Sequence, residues 1–115
     1  MAGGVAVGTG VAKAASLLLS SIIVADTRFA ASRAFAAGAA RIAWIDGDVT
    51  VVYNELDLLW RREKVTVSGL TAYGAFFCLE RLAMDRGLRV AFKREHRGAP
   101  VLISWAIASK PGAAA

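Results

Sequence analysis

DVTVVYNELDLLWRREKVTVSGLTAYGAFFCLERLAMDRGLRVAFKREHRGAPVLISWAI, residues 48–107, decides the fold reading. In its first part Val52, Leu56 and Leu59 repeat at helical spacing, with Tyr53 and Trp60 alongside, which predicts a helix over about 49–64. Glu55 and Asp57 fall in its first half and Arg61, Arg62 and Lys64 in its last turn, as the helix dipole favours. Val65-Thr66-Val67 disfavours continuation, and Ser68-Gly69 reads as a turn that restarts the chain. Ala72, Phe76, Leu79 and Ala83, widened by Leu82, predict a second helix over about 69–86, stopped by Gly87. Beyond it Leu88, Val90 and Phe92 alternate with Arg89, Ala91 and Lys93. Val101, Ile103, Trp105 and Ile107 do the same with Leu102, Ser104 and Ala106. These are two strands of a hairpin whose tip is Arg94-Glu95-His96-Arg97-Gly98-Ala99-Pro100.

The order is helix, turn, helix, β-hairpin, the layout of a winged helix-turn-helix. Working back from residue 48, Ile45-Asp46-Gly47-Asp48 is a turn signal, with Asp48 placed as an N-cap. Residues 27–44 are Ala-rich and predict a helix with Phe29, Ala36, Ala40 and Ile42 on one side. Arg28, Arg33 and Arg41 stay wet, and Gly38 weakens that helix by about 1 kcal/mol. Residues 11–25 read as a nearly all-apolar helix, and residues 1–10 as a glycine-rich, poorly ordered start. The expected architecture is mainly α with a β-hairpin, a winged helix preceded by N-terminal helices. Its expected parts are a flexible start and apolar helix over 1–26, the winged-helix domain over 27–110, and a disordered tail over 111–115.

The 57% hydrophobic fraction of the 115 residues supports a packed core and argues against disorder. The net charge of +5 is unevenly placed, with residues 61–115 carrying most of the Lys and Arg. A basic domain suits nucleic acid, while solubility alone accounts for it equally well. The lone Cys78 excludes a disulfide scaffold and reads as a small buried hydrophobe. The apolar run 14–25 resembles the core of a signal peptide, and the first 45 residues resemble a transit peptide. The run is too short to span a bilayer, and its periodicity continues to Trp44, which favours a packed helical extension.

No catalytic set is legible. The glycines of residues 3–10 lack the Lys-Ser/Thr end of a phosphate loop, and one histidine with one cysteine supplies no usual zinc site. Asp46 and Asp48 are explained as a turn and a cap. The chain is therefore expected to be no enzyme, with no cofactor, metal or small-molecule substrate, and no membrane partner. The DNA-contacting residues expected from the layout are Arg61, Arg62, Lys64, Ser68, Thr71, Arg81, Arg86, Arg89, Lys93, Arg94, His96 and Arg97. The tip residues would reach the phosphate backbone or minor groove, and the start of the second helix would favour a phosphate. Trp60 and Trp105 read as core rather than stacking platforms.

Val51-Val52-Tyr53-Asn54-Glu55-Leu56, with its basic end Arg61-Arg62-Glu63-Lys64, resembles the C-terminal winged-helix domain of origin recognition complex subunit 4. Phe77-Cys78-Leu79-Glu80-Arg81-Leu82, followed by Gly87-Leu88-Arg89 and the hairpin, is the counterpart of that family's next helix, and the resemblance covers about 30–107. Leu56 stands where the family has an aromatic residue, and the Val-Thr-Val-Ser-Gly connection departs from it. The family's preceding ATPase module is absent, so the resemblance implies a fragment without nucleotide hydrolysis. It implies double-stranded DNA and other origin recognition complex subunits as partners, helicase loading as the role, and the nucleus as the location. Tyr53 would pack and Glu55 would lie on the surface or between helices. Two other expectations stand beside it: a protein–protein winged helix without direct DNA binding, in which the apolar 11–25 helix docks on a partner, or a small organelle-targeted or membrane-associated protein.

Overall fold

Five short runs rich in β-branched and aromatic residues line up in one mixed sheet in the computed structural model, which describes residues 20–109. The chain order is β1 (Ile22–Asp26), α1 (Ala30–Ala36), β2 (Ile42–Ile45), α2 (Thr50–Arg62), β3 (Val67–Thr71), α3 (Tyr73–Asp85), β4 (Leu88–His96) and β5 (Leu102–Ser109). Spatially the strands run β2-β1-β3-β5-β4. β1 is parallel to both β2 and β3, whereas β5 is antiparallel to β3 and to β4. The protein is thus a mixed α/β domain with three helices and an open five-stranded sheet among its described residues.

β2 and β3 lie on either side of β1, so right-handed crossovers place α1 and α2 on opposite faces. α2 and α3 share the larger core. Val52, Leu56 and Trp60 of α2 and Phe76, Leu79 and Ala83 of α3 pack on Ile22, Val24, Val67, Leu88, Ile103, Trp105 and Ile107. Trp60 donates its indole N–H to the Val65 carbonyl, and Trp105 donates its own to Thr71 Oγ1, so both buried indoles are satisfied. α1 covers β1 and β3 from the other side. There Ser32 Oγ accepts the Asp26 N–H and donates to the Leu70 carbonyl, pinning the short helix across two strands.

The two long helices and the hairpin stand where the sequence places them, and both tryptophans are core. Four expectations are corrected. The architecture is mixed α/β rather than mainly α. The apolar run read as a helix over 11–25 is strand β1 from Ile22 onward; buried on both faces, it lacks the alternation that separates strand from helix. Its part over 11–19, the flexible start and the tail at 111–115 lie outside the described residues. The helix expected over 27–44 divides into α1 and β2, because Gly38 turns the chain at φ +83 and Ile42 then begins a strand.

The fourth correction concerns residues 65–71. From Val67 the segment expected as a turn is β3, which also takes residues 69–71 from the helix expected over 69–86. β3 is buried at every position and flanked by β1 and β5, and α3 begins only at Tyr73. The order is therefore helix, strand, helix, hairpin. Ser68-Gly69 carries a turn's composition for another reason: the Trp105 ring lies where a side chain at 69 would be. Asp48 stands one residue before the N-cap rather than at it. Its Oδ1 accepts the Thr50 N–H at 2.8 Å, while Val49 occupies the helix's N-cap. Cys78 is partly rather than fully buried.

Candidate nucleic-acid interface

Nine of the twelve residues expected to touch DNA fall into two groups, one toward each end of β4. Along β4 their nearest members, Arg89 and Lys93, are four residues or roughly 13 Å apart.

The first group gathers where α2 and α3 end. Asp57 holds two of its cations: Arg86 Nε at 2.6 Å and Arg61 Nη2 at 3.3 Å. The Arg86 hydrogen bond, followed by that of Arg61, keeps the Asp57 carboxyl below its usual range. Lys64 Nζ donates to the Trp60 carbonyl, a cation placed on the negative end of α2. Arg89 Nη1 reaches the Val90 carbonyl. Arg62 is exposed beyond these contacts.

The second group surrounds the free end of the hairpin. Lys93, Arg94 and Arg97 are exposed. Lys93 pairs in register with Trp105 and so lies on the α3 side, where its Nζ sits 5.7 Å over the Phe76 ring. Arg94 pairs with Ser104 and lies on the opposite side, and Arg97 stands at the tip. Close to Lys93, the first turn of α3 exposes a ring pair. Tyr73 and Phe77 are 56% and 44% exposed, with centroids 5.9 Å apart and planes 30° from parallel. Arg81 lies exposed one turn further along α3.

Three expected residues have other roles. Ser68 is fully buried in β3 and its hydroxyl bonds Ser20 Oγ. Thr71 is equally buried between the Trp105 indole and the Ala72 carbonyl. His96 Nε2 bonds Ser104 Oγ at 2.8 Å. Burial first and the nearby Arg94 second lower its pKa, so the ring is neutral at pH 7 and offers a phosphate no charge. The ring pair went unanticipated. The signal for it was present: a buried stripe of Ala72, Phe76, Leu79 and Ala83 leaves Tyr73, Phe77 and Met84 on the outward side of the same helix.

The crevice between β1 and β3, where the strand order reverses, is the usual ligand position of open α/β sheets. Here its polar groups hold one another. The fully buried Asp26 carboxylate takes Arg28 Nη2 at 2.9 Å, Arg28 Nε and the Arg28 backbone N–H. Burial works to raise the Asp26 pKa, but these bonds and a Gly47 backbone bond bring it below the usual value. Thr27 Oγ1 donates to Asp46, which joins the β1 and β2 loops. The Arg28 guanidinium lies flat on Gly47, where a Cβ would come within 2.9 Å of Cζ. No group of three or more His, Cys, Asp or Glu among the described residues is arranged to hold a metal, and no described helix is long and apolar enough to cross a membrane.

This cluster is a structural lock. Asp26→Ala is expected to cost about 3 kcal/mol, read as a lowered midpoint in urea, because several donors lose a buried acceptor. The sign with pH follows from the depressed pKa. The lock's contribution is full above the unfolded carboxyl value and is lost as pH falls through the folded one. Acid unfolding of the Asp26→Ala protein should therefore be shallower than that of the wild type.

No family model, curated protein or solved structure matches the chain.

Proposed function

We propose that this α/β domain binds nucleic acid at the hairpin end of its sheet. Lys93, Arg94 and Arg97 meet phosphates, and Tyr73 and Phe77 offer a surface on which bases stack. The observation that carries the reading is the exposed ring pair beside exposed cations that no carboxylate among the described residues holds. Cations alone are a common solvated feature of hairpin tips. Large exposed aromatic rings next to them are less common, and together they match the two forces that hold a nucleic-acid strand. Double-stranded DNA remains within this reading, with the tip touching the backbone.

The narrower reading is a winged helix that acts with other origin recognition complex subunits on origin DNA in the nucleus. Its support is the Val51–Leu56 segment and the order of α3 and hairpin. Strand β3 between α2 and α3 departs from it. The nucleic-acid proposal does not depend on it.

The test is fluorescence anisotropy with labelled single-stranded and duplex oligonucleotides. Tyr73→Ala with Phe77→Ala is expected to weaken single-strand binding by roughly 1–3 kcal/mol per stacked base, about five- to 150-fold per base, while leaving the salt dependence unchanged. Equal affinity of this variant and the wild type for single strands would remove the stacking role.

A further inference from the structure

The two edges of the sheet are built differently. β4 carries a bulge between Val90 and Phe92 and presents Arg89, Lys93 and Arg94, the devices that keep one strand from adding to another. β2 has neither. It is Ile42-Ala43-Trp44-Ile45, with no charge, proline or bulge, and β1 is its only neighbour in the described sheet. The Arg41 and Ile45 carbonyls accept the Ile23 and Thr27 N–H groups of the β1 side. By strand alternation Ile42 and Trp44 direct their N–H and C=O groups away from β1. Trp44 is 47% exposed.

Above this edge runs a groove between β2 and α2, lined by Ile42, Ala43, Leu58, Leu59, Glu55 and Arg62. Leu58 is 65% exposed, with Glu55 one turn before it and Arg62 one turn after it. That pattern is complementary to itself when reversed.

We propose that β2 pairs antiparallel with β2 of a second copy about a twofold axis through Ala43. Ile42 of each copy then lies opposite Trp44 of the other, and four backbone hydrogen bonds join the strands. The Trp44 ring covers Ile42 of the second copy, an aromatic on a β-branched residue. The same axis brings the two α2 helices together antiparallel at Leu58. Glu55 then faces Arg62 of the second copy, and Arg62 faces its Glu55. A twofold interface requires this kind of self-complementarity. The result is a continuous ten-stranded sheet with the guarded β4 edges outermost.

Sedimentation velocity of the full chain from micromolar to hundred-micromolar concentration tests this directly. A dimer is expected, and Trp44→Lys should return it to a monomer with an unchanged circular dichroism spectrum. Glu55→Arg alone and Arg62→Glu alone each set two like charges facing and should weaken association by about tenfold or more. The double variant Glu55→Arg with Arg62→Glu should restore it. Because both helix positions are exposed, this pair tests the geometry even if Trp44→Lys fails to fold. A wild-type monomer throughout the range, or a dimer indifferent to both single charge changes, would overturn the proposal.

Discussion

Gly69→Ala is expected to lower stability by about 3 kcal/mol or more, a Tm shift on the order of 10–20 °C for a domain of this size. Gly69 sits mid-strand in β3, between β1 and β5. A Cβ built there falls 2.5 Å from Trp105 Cζ2, 2.8 Å from Cε2 and 2.9 Å from the Val24 carbonyl oxygen. The carbonyl belongs to a neighbouring strand and has no rotamer to change. The indole is itself tied to Thr71 by its N–H and packs on Phe76 at 6.0 Å between centroids. Neither neighbour gives way without disturbing the core. Trp105→Phe removes the two ring atoms that clash, so the double variant should be less destabilised than the sum of the two single changes. Thermal unfolding followed by circular dichroism checks both. Strict additivity would mean that the close approach of ring to backbone is not what Gly69 serves.

The second large effect concerns binding. Reversing Lys93, Arg94 and Arg97 to Glu is expected to reduce affinity for a 20-mer oligonucleotide by about a hundredfold or more at moderate salt, since three attractions become repulsions. Their exposure makes the change cheap for folding. The matched control reverses Arg61 and Arg89 at the other end of β4, which leaves Arg62 and the β2 edge untouched. Arg61 is already engaged by Asp57, and neither lies near the ring pair. That control should cost less than the hairpin change, measured in the same buffer. A greater loss from the control would move the contact surface to the helix ends.

The sequence made α2, α3 and the hairpin legible because each has one buried and one solvated face. Leu56 and Trp60 in α2, and Phe76 and Leu79 in α3, mark the buried side at helical spacing. β1 and β3 lacked that contrast. Ile22–Asp26 and Val67–Thr71 lie between neighbours on both edges and under helices or strands on both faces. An interior strand of this kind reads as a plain apolar run or, where Gly69 makes room for Trp105, as a turn. With β3 hidden, the parallel half of the sheet could not be assembled, and helix–strand–helix became helix–turn–helix. The basic residues were legible by type but not by place. Asp57 holding Arg86 is a contact between α2 and the end of α3 that spacing does not reveal, whereas Arg61 on Asp57 and Lys64 on the Trp60 carbonyl are local contacts four residues apart along the chain. The hairpin residues fared better, because a tip is exposed whatever it is attached to.

A salt titration of wild-type affinity for an oligonucleotide tests the central claim most directly. With three phosphates met at the hairpin end, the logarithm of the binding constant should fall with the logarithm of salt at a slope of roughly −2 to −3, and should flatten when Lys93, Arg94 and Arg97 are reversed. No binding at low salt, or a slope that the reversal leaves untouched, would contradict it.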